Sequence, residues 1–333
     1  MTQSLSVKWI VLIVVLAALT LASIMSGSVT INMSQVFEFS DESSIISRMI
    51  FLESRLPRTL TAILAGASLS VSGLFMQTLF RNPLAGPSVL GVSSGASLMV
   101  AFLTMSGIFQ VITSFHLVIG GIIGSLLVLS ILVLIAKKFR DLTSVLIVGI
   151  MLSFFTSAIV SFLSSIASTS GLKAFVFWGF GSFADLGSSQ LAYFSIPLFI
   201  SLLAVPFFMK GLNALLLGEP HAKSLGVNPL NLRRNLIVVT GVLTGTVTAF
   251  CGPIAFIGLA APHVARLVFR TANHRTLIPA SLILGSIIAL LCDVIARLPG
   301  LDYALPLNTV CALMGAPVVI YLIFKGRNKK MIF

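Results

Sequence analysis

The chain has 333 residues, of which 57% are hydrophobic and only 9% are charged. So little polar surface cannot cover a water-soluble globule, and the composition therefore indicates a polytopic membrane protein. The net charge of +12 comes from basic residues spread over many short loops, so it gives no reason to expect nucleic acid as a partner. The three cysteines, Cys251, Cys292 and Cys311, lack the paired spacing of a disulfide framework or a zinc site.

About ten apolar segments follow one another along the chain, most of them near the ~20 residues that a membrane-spanning helix needs. They predict an all-α fold with about ten transmembrane helices in one domain, residues 1–333. The first segment resembles a secretory signal, but its length and the lack of a clear cleavage site favour a retained helix. The segments are roughly residues 9–25, 60–80, 89–108, 115–136, 145–166, 191–209, 236–250, 254–268, 277–296 and 306–324.

The charges predict the orientation of these helices. With ten helices and a cytoplasmic amino terminus, 16 of the 21 Lys and Arg residues fall on the cytoplasmic side. Seven of the nine acidic residues fall outside. Because cytoplasmic loops carry the excess of Lys and Arg, both termini are predicted to be cytoplasmic.

The stretch from Arg55 to Ser97 differs from a lipid-facing helix. It is rich in Gly, Ser and Ala, and it breaks at Asn82-Pro83 and at Gly86-Pro87. Small residues let helices approach closely in a bilayer, and a helix break needs cover from protein or a cavity. The stretch is therefore predicted to form the inner wall of a solute pathway.

A weaker copy of this pattern occurs in the second half of the chain, at Cys251-Gly252-Pro253. Ten helices divided into halves of about 1–190 and 191–333 give halves of opposite orientation, so this pattern predicts an inverted repeat. Helices seven and eight, on either side of the second break, are predicted to be about 15 residues long, short of the ~20 needed to span a bilayer.

Two connections between predicted helices have a composition that is unusual for a simple linker. Residues 167–190, outside, include aromatic and glycine residues that predict a short re-entrant or interfacial helix, although a simple aromatic anchor explains them equally well. Residues 210–234, inside, combine charged residues with exposed leucines. This pattern favours a docking surface over a solvated connection.

The sequence contains no recognisable catalytic, nucleotide-binding or metal-binding motif. The chain lacks a nucleotide-binding loop, an H-E-x-x-H motif, a G-x-S-x-G turn and histidines with metal-ligand spacing, so neither an enzyme nor a metal site is predicted. No acidic residue lies in the middle of a helix, and Asp293, near an outer helix end, comes closest. This argues against a carrier coupled to an ion gradient. If ATP drives the protein, a separate subunit must bind it.

Three arginines, Arg55, Arg58 and Arg297, lie on the outer side, where basic residues are rare. Guanidinium groups bind carboxylates through paired hydrogen bonds, which suits docking of an acidic protein or binding of an anionic solute. Arginines that extend to the membrane surface for solvation alone are an equally good explanation.

Several ordered motifs give the chain a resemblance to the permease family of type II ATP-binding-cassette (ABC) importers for ferric siderophores, haem and cobalamin. The resemblance covers nearly the whole chain. Its motifs are RLPR at Arg55–Arg58, the run GASLSVSGLFMQTLFRNPLAGPSVLGVSSGA, GEPHAKSLGV at Gly218–Val227, GPIAFIGLAAPHVAR at Gly252–Arg266 and LPLNTVCALMGAPVVIYLI.

The resemblance implies a multi-pass permease of the cytoplasmic (inner) membrane that dimerises with a second copy or a homologue. It also implies two ABC ATPase subunits, which hold the ATP-Mg, and a periplasmic or lipoprotein solute-binding protein; no cofactor is expected in this chain. By the same resemblance, the binding protein docks on Arg55, Arg58 and Arg297, and the ATPase couples to Glu219, Ala222, Leu225 and Gly226. The inner gate is expected at Asn82, Leu84, Thr143 and Ser144.

One departure from the family concerns the last motif, where many members carry an acidic residue before Leu-Pro and a Gly after it. This chain has Ala304 and Asn308 near those places. The outer vestibule is therefore expected to differ from that of relatives. A ferric siderophore is the favoured substrate, haem and cobalamin stay open, and an ion-coupled secondary transporter is the alternative of another class.

Overall fold

A computed structural model describes residues 2–27, 42–108, 113–139, 142–297 and 305–326. Within these ranges the chain is helical and contains no strand. Seven helices are long and apolar enough to cross a membrane, and three shorter apolar helices bring the described set to the ten that were predicted. The predicted all-α fold is thus confirmed.

The helices are numbered here in chain order. Those of the first half are α1 (Thr2–Met25), α2 (Glu42–Ile50), α3 (Leu56–Leu79), α4 (Val92–Met105), α5 (Ser114–Lys138), α6 (Leu142–Ile166) and α7 (Thr169–Gly179). Those of the second half are α8 (Ser188–Leu216), α9 (Glu219–Ser224), α10 (Pro229–Cys251), α11 (Ile257–Phe269), α12 (His274–Ala296) and α13 (Leu307–Gly326). A π-helical turn, Phe51–Arg55, joins α2 to α3, and a 3₁₀ turn, Pro87–Leu90, precedes α4.

Long-range hydrogen bonds define the two ends of the bundle. At the end that we call the α9 end, Arg81 after α3 bonds to Leu215 of α8, and Lys8 of α1 bonds to Val268 of α11. At the opposite end, the Asp293 end, Arg58 at the start of α3 meets Asp293 near the end of α12.

The two halves repeat one helix order in opposite orientation. A long helix, a break, a short helix and a long helix follow one another as α3, α4 and α5, with 24, 14 and 25 residues. The same order returns as α10, α11 and α12, with 23, 13 and 23 residues. The first break lies at the α9 end and the second at the Asp293 end, as an inverted repeat requires.

The prediction of a short helix eight is confirmed, since α11 has 13 residues, but the prediction of a short helix seven is wrong. Helix α10 has 23 residues and begins at Pro229, where the Asn228 side chain accepts hydrogen bonds from the backbone N–H groups of Leu230 and Asn231. Its first turns contain Arg233 and Arg234, so hydropathy alone places its start too late. Since α8 also continues to Leu216, the predicted loop at 210–234 is reduced to α9 and its flanking turns.

Glycines set the closest helix crossings. A Cβ on Gly73 of α3 would lie 1.6 Å from the carbonyl oxygen of Gly258 in α11. A Cβ on Gly66 would lie 2.3 Å from the carbonyl oxygen of Gly285 in α12. Beside this second crossing, Ser70 Oγ donates to the carbonyl oxygen of Ser281 at 2.6 Å. Backbones approach this closely only where no side chain intervenes.

Helix α3 is therefore a central packing helix. Nearly all of its residues from Ala65 onward are buried inside this one chain, including Ser68 and Ser72. The predicted inner wall of a solute pathway is corrected to this extent: the small residues of α3 are used for contact with α10, α11 and α12.

The segment 167–190, which was predicted to lie outside, contains the predicted short helix, α7, which Ser168 caps by accepting a hydrogen bond from the Gly171 N–H. Its carboxyl end is fixed to the second break, because the Ser182 N–H donates to the Cys251 carbonyl oxygen at 2.9 Å. The Asn308 N–H, in α13, donates to the Phe180 carbonyl oxygen at the same distance. The segment is thus seated where the two halves meet at the Asp293 end.

Candidate functional site at the two ends of the bundle

Asp293 holds two of the three arginines that were predicted to lie on the outer side. Its carboxylate is fully buried near the end of α12. Arg58 donates from Nε and Nη2 to Oδ1 at 2.9 and 2.8 Å. Arg297 donates from Nη2 to Oδ2. One carboxylate therefore holds one arginine from each of the two helices that cross at Gly66.

The end of α1 completes this cluster. Arg297 also donates to the Ser26 carbonyl oxygen at 2.9 Å and to Ser23 Oγ at 3.0 Å. Arg55 donates from Nη1 to the carbonyl oxygens of Ile24 and Met25 at 2.8 and 3.0 Å. Carbonyl groups at a helix carboxyl end have no partner within the helix, so the two arginines cap α1.

The structure thus brings together the three arginines that were predicted to dock a binding protein. The Asp293 carboxylate pairs with Arg58 and Arg297, while Arg55 bonds to the carboxyl end of α1. Arg58 has the most exposed side chain, at 18%, while that of Arg297 is 10% exposed. From the sequence, Asp293 was noted only as the acid closest to a helix interior, and its partners could not be foreseen.

At the opposite end, α9 and the two residues after it contain the residues that were predicted to couple to an ATPase. Gly226 follows the helix with φ of 78°, the left-handed region that favours glycine. The Val227 N–H donates to the Ala222 carbonyl oxygen, and the Gly226 N–H to the Lys223 carbonyl oxygen, at 2.9 and 3.0 Å. This pair of bonds is a Schellman cap, which requires a left-handed residue at the place of Gly226.

Contacts with the bundle hold α9 in place. Glu219 forms an ion pair with Arg233 in the first turns of α10. Ala222 is fully buried, whereas Leu225 is 64% exposed. The short helix therefore presents Leu225 from a fixed base.

The four residues that were predicted to form the inner gate lie in two places. Asn82 and Leu84 are exposed in the turn after α3, where Asn82 Oδ1 accepts a hydrogen bond from the Leu84 N–H at 2.9 Å. Thr143 and Ser144 lie in the first turn of α6. The 3₁₀ turn Pro87–Leu90, which follows Asn82 and Leu84 in the chain, packs on α6. Next to it, Gly91 lies close to the Gly149 carbonyl oxygen of α6. A gate formed by the four residues stays a prediction.

A polar network at the α9 end was missed from the sequence. Arg266 of α11 donates to Gln77 Oε1 in α3, and Gln77 Nε2 donates to the Leu259 carbonyl oxygen at 3.2 Å. Nearby, Thr78 Oγ1 and His274 Nε2 lie 2.8 Å apart. The only available signal was the polar character of these residues within apolar segments. Across the described part of the chain, no group of three His, Cys, Asp or Glu residues could hold a metal ion.

Comparison with known proteins extends over nearly the whole chain. The model of the FecCD transport family matches residues 14–325. The vitamin B12 import system permease protein BtuC of Salmonella typhi is 36% identical over 326 residues, which is 97% of each chain. A protein of Methanocaldococcus jannaschii assigned as an ABC transporter permease is 34% identical over 298 residues, 84% of each chain.

The fold has a close counterpart among solved structures. A protein assigned to the metal-chelate type of ABC transporter, solved in an inward-facing conformation, superposes with a TM-score of 0.85 and 31% sequence identity. The match covers 96% of this chain and 99% of the other.

Proposed function

The chain belongs to the FecCD transport family of type II ABC importer permeases, and on that premise we propose that it carries a ferric siderophore across the cytoplasmic membrane by alternating access. The observation that carries this proposal is the placement of two prepared contact surfaces at opposite ends of one bundle. The arginine cluster lies at the Asp293 end, and α9 lies at the other.

The arginine cluster suits the docking of a solute-binding protein. Arg58 and Arg297 are held by Asp293, so their side chains are already ordered before a partner arrives. Ordering long side chains costs binding free energy, and a preorganised patch avoids most of that cost. Acidic side chains of the partner would then meet Arg58, whose side chain is the most exposed of the three, and the opposite charges favour fast, salt-dependent association.

Helix α9 suits coupling to an ATPase subunit. Leu225 projects from a helix whose base is fixed by the Glu219–Arg233 ion pair and by buried Ala222. A force applied to an exposed side chain on a fixed base is passed to α8 and α10, which α9 contacts. We expect ATP binding in two partner subunits to shift α9 and thereby to alter the packing of the membrane helices, which have discrete arrangements.

The proposed assembly contains a second copy of the chain or a homologue, two ATPase subunits that bind ATP-Mg, and a periplasmic or lipoprotein binding protein. Both termini face the cytoplasm in this arrangement, with α9 inside and Asp293 outside. The inner gate is proposed at Asn82, Leu84, Thr143 and Ser144, on the two segments that meet beside Gly91.

Cobalamin is the second candidate substrate, because one of the similar proteins is named as a vitamin B12 import permease and covers 97% of this chain. Haem is a third candidate. The similar solved transporter is described as of metal-chelate type, which is compatible with all three substrates, and the ferric siderophore is kept as the substrate that the sequence favours. Asn308, which differs from many family members, lies at the Asp293 end, the side from which the proposed assembly would receive its substrate.

The test is uptake in membrane vesicles that contain the complete importer. Radiolabelled ferric siderophore, cobalamin and haem are supplied separately, with and without ATP inside and with and without a protonophore. We expect ATP-dependent uptake of the siderophore that the protonophore leaves intact. The double variant Glu219→Ala with Leu225→Ala should lose that uptake while still inserting in the membrane.

Uptake that continues without ATP and stops with the protonophore would overturn the ABC mechanism in favour of an ion-coupled carrier. ATP-dependent uptake of cobalamin alone would replace the proposed substrate while retaining the mechanism.

A further inference from the structure

A cavity of about 130 Å³ lies at the α9 end, between the ends of α3, α8 and α11 and the start of α12. Its lining combines polar and apolar residues. The polar ones are Gln77, Thr78, Arg81, Arg266 and His274. The apolar ones are leucines of α8 and α12 together with Ala272.

Two guanidinium groups face this cavity without an acidic partner. Within the described ranges, the three ion pairs of the chain involve Arg58, Arg297 and Arg233, and neither Arg81 nor Arg266 takes part in one. Arg266 donates to the neutral Gln77, and Arg81 donates to the Leu215 carbonyl oxygen at 3.2 Å. The cavity is therefore positively charged.

The histidine beside the arginines is held by neutral side chains. His274 Nε2 lies 2.8 Å from Thr78 Oγ1, and its Nδ1 lies 2.9 Å from Asn213 Oδ1. Both ring nitrogens are thus used within the fold. The groups left to meet a ligand are the two guanidiniums.

Arg81 occupies a strained place in the chain. It follows α3 with φ of 48°, in the left-handed region, and the Asn82 N–H closes the cap by donating to the Gln77 carbonyl oxygen at 3.1 Å. Glycine takes this position without steric cost, whereas a residue with a Cβ is strained there. Strained backbone positions cluster at ligand sites, and Arg81 lines the cavity.

From these observations we propose that the cavity binds a phosphate group, supplied by the headgroup of a membrane phospholipid. Guanidinium groups bind phosphate oxygens through paired hydrogen bonds. In the proposed arrangement the α9 end is cytoplasmic, and the choice of a lipid rests on that arrangement, because basic pockets between transmembrane helices at the cytoplasmic face are suited to anionic lipid headgroups. The lining leucines suit the apolar part of a lipid next to its headgroup.

The proposal is tested on the purified full-length permease in mild detergent by native mass spectrometry and by thermal unfolding. Phosphatidylglycerol, diacylglycerol and inorganic phosphate are added separately. We expect phosphatidylglycerol to remain bound and to raise the apparent Tm, and diacylglycerol, which lacks the phosphate, to do neither. Stabilisation by inorganic phosphate that Arg81→Gly removes would retain the phosphate site and make free phosphate its source.

The variant Arg81→Gly separates binding from folding. It relieves the backbone strain but loses the hydrogen bond to the Leu215 carbonyl oxygen, so the protein without lipid should unfold near the Tm of the wild type, while lipid affinity falls about tenfold through loss of a charged hydrogen bond. Arg266→Gln should weaken binding similarly. The matched control is Arg270→Gly, since Arg270 follows α11 with φ of 49° but does not line the cavity.

Equal lipid binding by the wild type and Arg81→Gly would overturn the proposal. So would normal lipid binding in the variants together with weaker association of an ATPase subunit, because the cavity would then receive a protein side chain. Neither readout depends on transport, so the lipid site and the proposed uptake function can fail separately.

Discussion

Arg58 and Asp293 are 235 residues apart in the chain, yet Arg58 donates two hydrogen bonds to one oxygen of the Asp293 carboxylate. The other oxygen receives a hydrogen bond from Arg297. Because α3 and α12 cross closely at Gly66, the ion pair secures the start of one helix to the end of the other. The patch proposed for docking therefore also holds α3 and α12 together.

Asp293→Asn is expected to destabilise the permease. The amide cannot neutralise two guanidinium groups, and leaving a buried charge without its partner costs about 3–5 kcal/mol. Arg58→Gln should cost less, because Asp293 keeps Arg297. The measurement is the apparent Tm in detergent, with Asp185→Asn as the control, since Asp185 is an exposed acid. An unchanged Tm for Asp293→Asn would show that the ion pairs of Asp293 contribute little to stability.

The sequence predicts much of this fold because hydropathy and glycine patterns act locally. The ten helices, the two breaks and the family resemblance are all confirmed, and each follows from residues close together in the chain. The partners of Asp293 could not be predicted in this way, because they depend on how α3 and α12 cross. The start of α10 was predicted too late because Arg233 and Arg234 lower the hydropathy of its first turns. Asn228 followed by Pro229 is a sequence signal for a helix start and indicates the correct position.

Gly73→Ala is expected to disrupt the crossing of α3 and α11. The new methyl would lie 1.6 Å from the Gly258 carbonyl oxygen, so the two backbones must separate. We expect a loss of about 3 kcal/mol, the upper part of the range for overpacked cores. It is measured as a lower apparent Tm and as aggregation on size-exclusion chromatography. Gly179→Ala is the control, because a Cβ there meets no atom within 4 Å; equal behaviour of the two variants would contradict the packing argument.

Gly226→Ala is expected to weaken coupling without loss of the membrane fold. Alanine in the left-handed region costs about 1–2 kcal/mol, so the cap would open and Leu225 would lose its fixed position. ATP-driven uptake should fall while the apparent Tm changes little. Gly226→Asn should restore much of the uptake, since asparagine tolerates this conformation. If alanine and asparagine reduced uptake equally, side-chain bulk at the ATPase contact would explain the loss better than backbone strain.

Asn308→Gly is expected to loosen the second break at the Asp293 end. Asn308 Oδ1 accepts a hydrogen bond from the Ala255 N–H at 3.0 Å, while its own N–H donates to the Phe180 carbonyl oxygen. Glycine keeps the second bond and removes the first, which leaves the Ala255 N–H without its partner and raises its exchange with solvent. Hydrogen exchange followed by mass spectrometry should therefore show faster exchange at 252–256 than in the wild type. Asn308→Asp, which retains an acceptor oxygen, should exchange more slowly than the glycine variant. Identical exchange in all three proteins would mean that the break is held by the backbone bonds around Gly252 alone.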